Sequence, residues 1–178
     1  MLTYDHGNRI GIGFSADNTI QVVPVQSQKI NRVRPLIRVR VLLADDHHEL
    51  LERVKSFLAT DFDVIGSAIN GHDLLALAEA LRPDVIVADI SMPGLNGIEA
   101  VRQLLENGST AKFIFHTLHE DGAFVGACFA AGAMGYVLKR RTSADLVIAI
   151  QEVLVGRRFV SPPLNRELFA PTCCGLGS

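Results

Sequence analysis

Four short apolar segments of the sequence are each followed closely by side chains that can bind a metal, donate a proton or carry charge. Asp45 and Asp46 follow the first segment, Asp89 follows the third, Thr117 comes two residues after the fourth and Lys139 follows the fifth. Three carboxylates brought together repel one another at neutral pH unless a cation or raised pKa values offset their charge. A hard divalent ion such as Mg²⁺ satisfies one or two carboxylates, a carbonyl oxygen and waters. These residues predict an acidic Mg²⁺ pocket with one hydroxyl and one ammonium group.

Such a pocket has the groups needed to receive a phosphoryl group on a carboxylate. A carboxylate is a competent nucleophile. A metal ion and a lysine can neutralise the charge that develops on the transferred group. The prediction requires that the five side chains converge, so it depends on the elements that position them.

Five apolar segments rich in β-branched or aromatic residues have the length of short strands. They are Val39–Ala44, Val64–Ala68, Val85–Ala88, Phe113–Phe115 and Tyr136–Leu138. Each precedes a segment with helical periodicity, and this alternation predicts a parallel sheet covered on both faces. We therefore predict a doubly wound, flavodoxin-like α/β fold with a five-stranded parallel sheet, strand order 2-1-3-4-5 and helices on both faces. Right-handed crossovers place the carboxyl ends of all strands at one edge.

Two helical segments have distinctive features. The fourth, Glu120–Ala131, contains Gly122 and Gly126, and each Gly costs roughly 1 kcal/mol of helix propensity relative to Ala. It is either a helix packed closely through small residues or an element of low local stability that can shift. For the fifth helix we predict a Thr142/Ser143 N-cap.

Composition limits the class of protein. The chain is 48% hydrophobic and 20% charged, as in a globular protein, and its net charge of −2 gives no reason to expect nucleic acid. No apolar run reaches the roughly 18 residues of a membrane span, and no secretory signal is visible. We expect a cytoplasmic protein without membrane contact. Cys128, Cys173 and Cys174 form no disulfide framework, and Cys128 is predicted to be a small buried hydrophobe.

Three zones divide the chain. Residues 1–35 are polar and Gly-dotted, and form either a short hairpin or, as we favour, a poorly ordered extension. Residues 36–160 carry the regular pattern. Residues 161–178 begin with Ser-Pro-Pro and are predicted to be a linker remnant or tail.

Four motifs resemble the receiver domain of bacterial response regulators of the NarL/FixJ type. They are ADDH at Ala44–His47, DVIVADISMPGLNG at Asp84–Gly97, FHT at Phe115–Thr117 and GYVLK at Gly135–Lys139. Thr117 lies 28 residues after Asp89, and Lys139 lies 50 residues after it. The resemblance covers about Arg38–Pro162, and its motifs are specific in combination.

The resemblance implies a two-component phosphorelay in which Asp89 receives a phosphoryl group from a histidine kinase or phosphotransfer protein. Asp45 and Asp46 would hold Mg²⁺ together with Asp89 and the backbone carbonyl of Ser91. Lys139 would pair with the acyl phosphate. No turnover of a separate substrate is expected, so the chain would not be an enzyme in the usual sense.

The resemblance also implies a switch and an output. Thr117 would hydrogen-bond the acyl phosphate, and the rotamer of Tyr136 would report phosphorylation. The fourth helix, fifth strand and fifth helix would bind an output protein or a second copy of the chain. NarL/FixJ regulators continue into a helix-turn-helix domain, whereas no recognition-helix pattern follows Val160, so we expect no DNA binding by this chain itself.

One departure from the pattern concerns the loop after the lysine. Arg140 and Arg141 stand where receivers often have Pro or Asp, so we expect a more basic and less fixed loop.

Alternative functions use the same residues. The fold could serve as an interaction module that works without phosphorylation. The run from Asp45 to His48 could suggest a metal-dependent phosphohydrolase, but His72, His116 and His119 lack the spacing of further ligands. An aspartyl-phosphate phosphatase would usually carry a second Asp two residues after its nucleophile, where this chain has Ser91.

Overall fold

The computed structural model divides into two units, Met1–Ile37 and Arg38–Ser178. It describes residues 10–14, 20–24, 38–162 and 164. In the first unit, strand β1 (Ile10–Phe14) pairs antiparallel with strand β2 (Ile20–Pro24). The remainder of the predicted extension, and the predicted tail after Leu164, lie outside the described residues.

The second unit is a parallel sheet whose strands alternate with helices. In chain order its elements are β3 (Arg40–Ala44), α1 (His48–Leu58), β4 (Asp63–Ala68), α2 (Gly71–Leu81), β5 (Val85–Ala88), α3 (Gly97–Glu106), β6 (Lys112–Thr117), α4 (Gly122–Ala130), β7 (Gly135–Leu138), a 3₁₀ turn (Lys139–Arg141), α5 (Thr142–Leu154) and β8 (Phe159–Val160). The strand order is β4-β3-β5-β6-β7-β8, and all neighbours are parallel. This confirms the predicted flavodoxin-like fold, in which β3 to β7 are the five predicted strands and β8 adds a sixth.

The central strands are apolar on both faces because helices cover both faces. One core cluster joins the sheet to α2, α3 and α4, and the other joins it to α1 and α5. In β6, Phe113 and Phe115 belong to the first cluster and Ile114 to the second. Since side chains alternate along a strand, His116 lies on the α1/α5 side and Thr117 on the opposite side.

Three helices begin at polar caps. The side chains of Asn70, Asn96 and Asp121 accept hydrogen bonds from the first turns of α2, α3 and α4. The predicted Thr142/Ser143 cap of α5 is wrong. A 3₁₀ turn runs directly into this helix, so Thr142 is already its first residue, and its hydroxyl donates to the Lys139 carbonyl instead.

Ser161 fastens the end of the sheet to β7 and α5. Its N–H donates to the Tyr136 carbonyl at 2.9 Å, and its Oγ accepts the N–H of Leu138 at 3.2 Å. The same hydroxyl donates to Asp145 Oδ2 at 2.6 Å. Burial alone would raise the pKa of Asp145, but the bonds from Arg141 and Ser161 hold it below its usual range. Ser161, at the start of the predicted tail, is thus fully buried.

Two glycines give opposite expectations for the same substitution. A Cβ at Gly97 would press on the Asp89 carbonyl group, whereas one at Gly126 would meet nothing within 4 Å beyond its own helix backbone. We expect Gly97→Ala to lower the free energy of unfolding by about 2 kcal/mol through overpacking. We expect Gly126→Ala to raise it by about 0.5 to 1 kcal/mol through helix propensity. Urea denaturation measures both, and a destabilised Gly126→Ala would contradict the open environment described for this position.

Candidate functional site

Asp45, Asp89 and Lys139 meet at the carboxyl-terminal edge of the sheet. The Lys139 Nζ atom lies 2.7 Å from Asp45 Oδ2 and 2.8 Å from Asp89 Oδ2. All three side chains are buried, with 5% to 7% of their surface exposed. The structure therefore brings three of the predicted site residues into direct contact.

The register of the strands explains this meeting. In the pairing of β3 with β5, Ala44 lies opposite Ala88, so the residues that follow, Asp45 and Asp89, leave the sheet side by side. The Asp89 N–H also donates to the Ala44 carbonyl at 2.7 Å. Strand β6 separates β5 from β7, and Lys139 follows the last residue of β7. The lysine therefore reaches the carboxylates from across one strand.

Charge determines how this cluster is held. Burial by itself would lower the pKa of Lys139, but the two carboxylates outweigh burial and raise it above its ordinary value, so the side chain is an ammonium at neutral pH. Asp89 Oδ1 accepts a 2.7 Å hydrogen bond from the Ile90 N–H. Asp45 Oδ2 is buried and accepts no well-aligned hydrogen bond. Its short contact with Lys139 is therefore an ion pair.

Asp45, Asp46 and His47 form a group with the spacing of metal ligands, since one ligand atom from each lies within 4.8 Å of the others. The His47 N–H donates to Asp45 Oδ1 at 3.0 Å, and His47 Nδ1 lies 2.7 Å from Asp46 Oδ1. Asp45 is buried and ion-paired with Lys139, whereas the neighbouring Asp46 side chain is 34% exposed. Hard oxygen donors of this kind fit the predicted Mg²⁺.

Thr117 and Tyr136 are both joined to His119, in the loop between β6 and α4. Thr117 is fully buried, and its Oγ1 accepts the His119 N–H at 3.3 Å. The Tyr136 hydroxyl donates to the His119 carbonyl at 2.9 Å, and burial raises the pKa of this tyrosine. The resemblance implied that Thr117 and Tyr136 are the switch residues, but it did not predict that His119 contacts both, because contacts with backbone atoms leave no residue pattern.

The side chain of His119 links two further elements. Its Nε2 lies 3.0 Å from Ser91 Oγ, in the loop after β5. Its ring stacks on Phe124 of α4, with 4.1 Å between ring centroids and 12° between planes. His119 therefore connects the loop that follows the acceptor candidate Asp89 with the first turn of α4.

A second histidine, His116, is buried at the end of β6. Its Nε2 lies 2.7 Å from Thr142 Oγ1. Burial, followed by the charge of Lys139, lowers its pKa to about 4, although Asp89 partly opposes the shift. Sequence reasoning considered His116 only as a metal ligand. The signal it missed was a polar residue within an otherwise apolar strand.

The loop after Lys139 is held by ion pairs. Arg140 Nε lies 2.5 Å from Glu120 Oε1, and Arg141 makes two hydrogen bonds with Asp145, at 2.7 Å and 2.9 Å. Residues Lys139–Arg141 form a 3₁₀ turn. Both arginines that depart from the usual receiver pattern are therefore paired with carboxylates.

Two other expectations concern features outside this cluster. Cys128 is fully buried, and burial raises its thiol pKa to about 12, which confirms the prediction of a small buried hydrophobe. Among the helices that the structure describes, none has the length and apolar character needed to cross a membrane.

A parallel sheet with carboxylates, a threonine and a lysine at one edge defines a receiver-type α/β domain. A family model described as the response regulator receiver domain matches residues 41–151. The chain belongs to this family.

Known relatives agree with this assignment. The response regulator GacA of Pseudomonas aeruginosa is 36% identical over 132 residues, which cover 73% of this chain and 62% of GacA. The nitrate/nitrite response regulator NarL of Escherichia coli K12 is 35% identical over 132 residues, covering 73% of this chain and 61% of NarL. The chain thus spans about three fifths of the length of these curated relatives.

A solved structure extends the comparison to the fold. It is a two-component response regulator of the LuxR family from Aurantimonas, with a TM-score of 0.71 and 34% identity. The match covers 74% of this chain and 95% of that chain. Together with the relatives, it confirms the predicted resemblance to receivers of the NarL/FixJ type.

The lowered pKa of His116 predicts a component of acid sensitivity. The pKa of His116 is about 4 in the folded chain and 6.5 ordinarily. As pH falls, His116 is therefore protonated in the unfolded chain before it is protonated in the folded chain. The contribution of His116 to stability is present above pH 6.5 and is lost as pH falls through 4. We expect it to account for about 2 kcal/mol of the decrease in the free energy of unfolding between pH 7 and pH 5.

Urea denaturation at both pH values measures this component. The variant His116→Gln should lose it, whereas the same substitution at exposed His72 should retain it. Equal pH dependence in wild type and His116→Gln would contradict the prediction.

Proposed function

We propose that Asp89 accepts a phosphoryl group from a phosphohistidine of a histidine kinase or phosphotransfer protein, in a reaction that requires Mg²⁺. The observation that carries the proposal is the Lys139 ammonium, 2.8 Å from Asp89 Oδ2 and shared with Asp45. Membership of the receiver family supports a role in two-component phosphorelay signalling. The chain would be modified itself and would not turn over a separate substrate.

In the transfer, a carboxylate oxygen of Asp89 attacks phosphorus and forms a P–O bond. The P–N bond to the donor imidazole breaks, and the imidazole leaves with the electron pair and takes up a proton. Lys139 neutralises charge on the incoming group, and the Thr117 hydroxyl can donate a hydrogen bond to it. Of these two groups, Lys139 already lies beside the acceptor carboxylate before the donor arrives.

The acidic pair, Asp45 and Asp46, supplies the rest of the site. Asp45 and Asp46 would hold Mg²⁺ together with Asp89 and the Ser91 carbonyl. The ion would offset the negative charge that the carboxylates and the phosphoryl group bring together. The spacing of the ligand atoms of Asp45 and Asp46, and the partial exposure of Asp46, support this assignment.

The contacts of His119 suggest how phosphorylation would reach the surface. If Thr117 turns toward a phosphoryl group, the His119 N–H that it accepts must move with it or lose its partner. The same residue supplies the carbonyl that holds the Tyr136 hydroxyl, so the state of Tyr136 changes with the loop. We propose that this shifts the population of two arrangements of the surface formed by α4, β7 and α5.

Helix α4 is suited to such a shift. Of its nine residues only Val125 and Cys128 are fully buried, while Phe124 and Phe129 pack partly buried against the core. An output protein or a second copy of the chain would bind the α4–β7–α5 surface in one of its two states.

Phosphorylation of Asp89 is tested by incubating the chain with Mg²⁺ and a small phosphodonor and then measuring its intact mass. We expect a single added phosphoryl group, because one buried carboxylate lies beside both the lysine and the acidic pair. Asp89→Asn should abolish the adduct by removing the nucleophile. Asp61→Asn, an exposed carboxylate in the loop after α1, should leave it intact. An adduct that persists in Asp89→Asn, or none in wild type, would contradict the proposal.

Mg²⁺ should stabilise the folded chain, because the unfolded chain has no preformed pair of carboxylates. An ion at 100 times its Kd contributes about 2.7 kcal/mol to the free energy of unfolding. Asp46→Asn should remove most of this gain, since it removes one ligand from a partly exposed position, and Asp61→Asn is again the control. Urea denaturation with and without Mg²⁺ makes the measurement. A wild-type chain that gains no stability from the ion would argue against the site.

A further inference from the structure

His116 is a polar side chain on an apolar face of the sheet. It is 3% exposed and lies on the side where α1 and α5 cover the strands. Its contact is Thr142 Oγ1, at 2.7 Å, on the first residue of α5. Thr142 Oγ1 in turn lies 2.6 Å from the Lys139 carbonyl oxygen. A chain of two polar contacts therefore connects β6 with the backbone of the site lysine.

The direction of these contacts follows from counting protons. A threonine hydroxyl has one proton to donate. Two oxygens 2.6 Å apart need a proton between them, so the Thr142 hydroxyl donates to the Lys139 carbonyl. The Nε2 of His116 must then donate to Thr142, and this fixes the neutral ring as its Nε2–H tautomer.

The Lys139 backbone is fixed on both sides by this arrangement. On one side, the carbonyl of Lys139 accepts both the hydroxyl and the N–H of Thr142. On the other, the N–H of the preceding Leu138 is held by Ser161. A lysine side chain is a flexible stem of four carbons, so the position of its ammonium group is accurate only if the backbone that carries the stem is itself held in place.

Building on the proposed function, we propose that His116 is a positioning residue for phosphoryl transfer. Through Thr142 it fixes the Lys139 backbone, and thereby the ammonium between Asp45 and Asp89. Its side-chain hydrogen bond goes to Thr142, so its proposed effect on the reaction passes through Thr142 and Lys139.

A neutral donor suits this position better than a charged one. A cationic ring would add a second positive charge near the Lys139 ammonium and would cost desolvation in an apolar cluster. The low pKa of His116, caused first by burial and then by Lys139, keeps the ring neutral at neutral pH. The ring therefore supplies a hydrogen bond without altering the charge balance of the site.

The test compares variants that keep or remove each donor, after urea denaturation shows that each is folded. His116→Leu and Thr142→Val remove a donor, and we expect them to slow phosphate uptake from a small phosphodonor at saturating Mg²⁺ by roughly tenfold. His116→Gln and Thr142→Ser keep a donor and should recover most of the rate. A Thr142→Val chain that is less stable but accepts phosphate at the wild-type rate would overturn the proposal.

A double substitution shows whether the effect passes through the lysine. In a Lys139→Met background, adding Thr142→Val should not slow phosphate uptake further, because the positioned group is already absent. An additional decrease equal to that in the wild-type background would show that Thr142 acts independently of Lys139, which contradicts the proposal.

Two spectroscopic readouts separate this inference from the proposed function, since neither needs phosphorylation. Long-range ¹H–¹⁵N NMR should show His116 as the Nε2–H tautomer. The Nδ1–H tautomer would contradict the proposed hydrogen bond from His116 to Thr142. The Lys139 ammonium should give a slowly exchanging ¹⁵Nζ signal in wild type and Thr142→Ser that is lost in Thr142→Val. Without phosphate uptake by wild type, the proposed function fails, while these signals still decide whether His116 positions the lysine.

Discussion

The Lys139 ammonium holds two buried carboxylates together, and the edge of the sheet is organised around that contact. Removing a carboxylate from water costs several kcal/mol, and a cation at close range offsets part of that cost for Asp45 and Asp89. The lysine provides one within 2.8 Å of each. The strand order makes this possible, because the two carboxylates come from neighbouring strands and the lysine reaches them from across β6. The remaining contacts of the site hold these three charged side chains in position.

Much of this arrangement could be predicted from the sequence, for a physical reason. Short apolar segments alternating with helices leave few topologies, and in a doubly wound sheet all strands end at one edge. Residues such as Asp89 and Lys139, which come directly after strands, therefore converge whatever the details of the loops. The predicted strand Val85–Ala88 has the bounds found in the structure. Three others differ by one residue at the start, and Phe113–Phe115 is shorter than the observed strand by one residue at its start and two at its end.

What the sequence did not predict depends on geometry within loops and short turns. The cap of α5 was misplaced because a 3₁₀ turn and an extended cap residue are compatible with the same local sequence. The roles of His119 and His116 rest on a backbone carbonyl and on a hydroxyl of another element, and neither leaves a spacing signal. Strand β8 has two residues, too few for a periodicity. Each of these features depends on distances between elements, which the pattern of residue types does not specify.

The attachment of Ser161 has a mechanical consequence. Its N–H and hydroxyl bind β7 at Tyr136 and Leu138, and Leu164 packs in the same core cluster as the Tyr136 ring. Ser161 is therefore attached to β7 at two points, one on Tyr136 and one on Leu138. A displacement of β7 would be transmitted to Ser161 through these two hydrogen bonds.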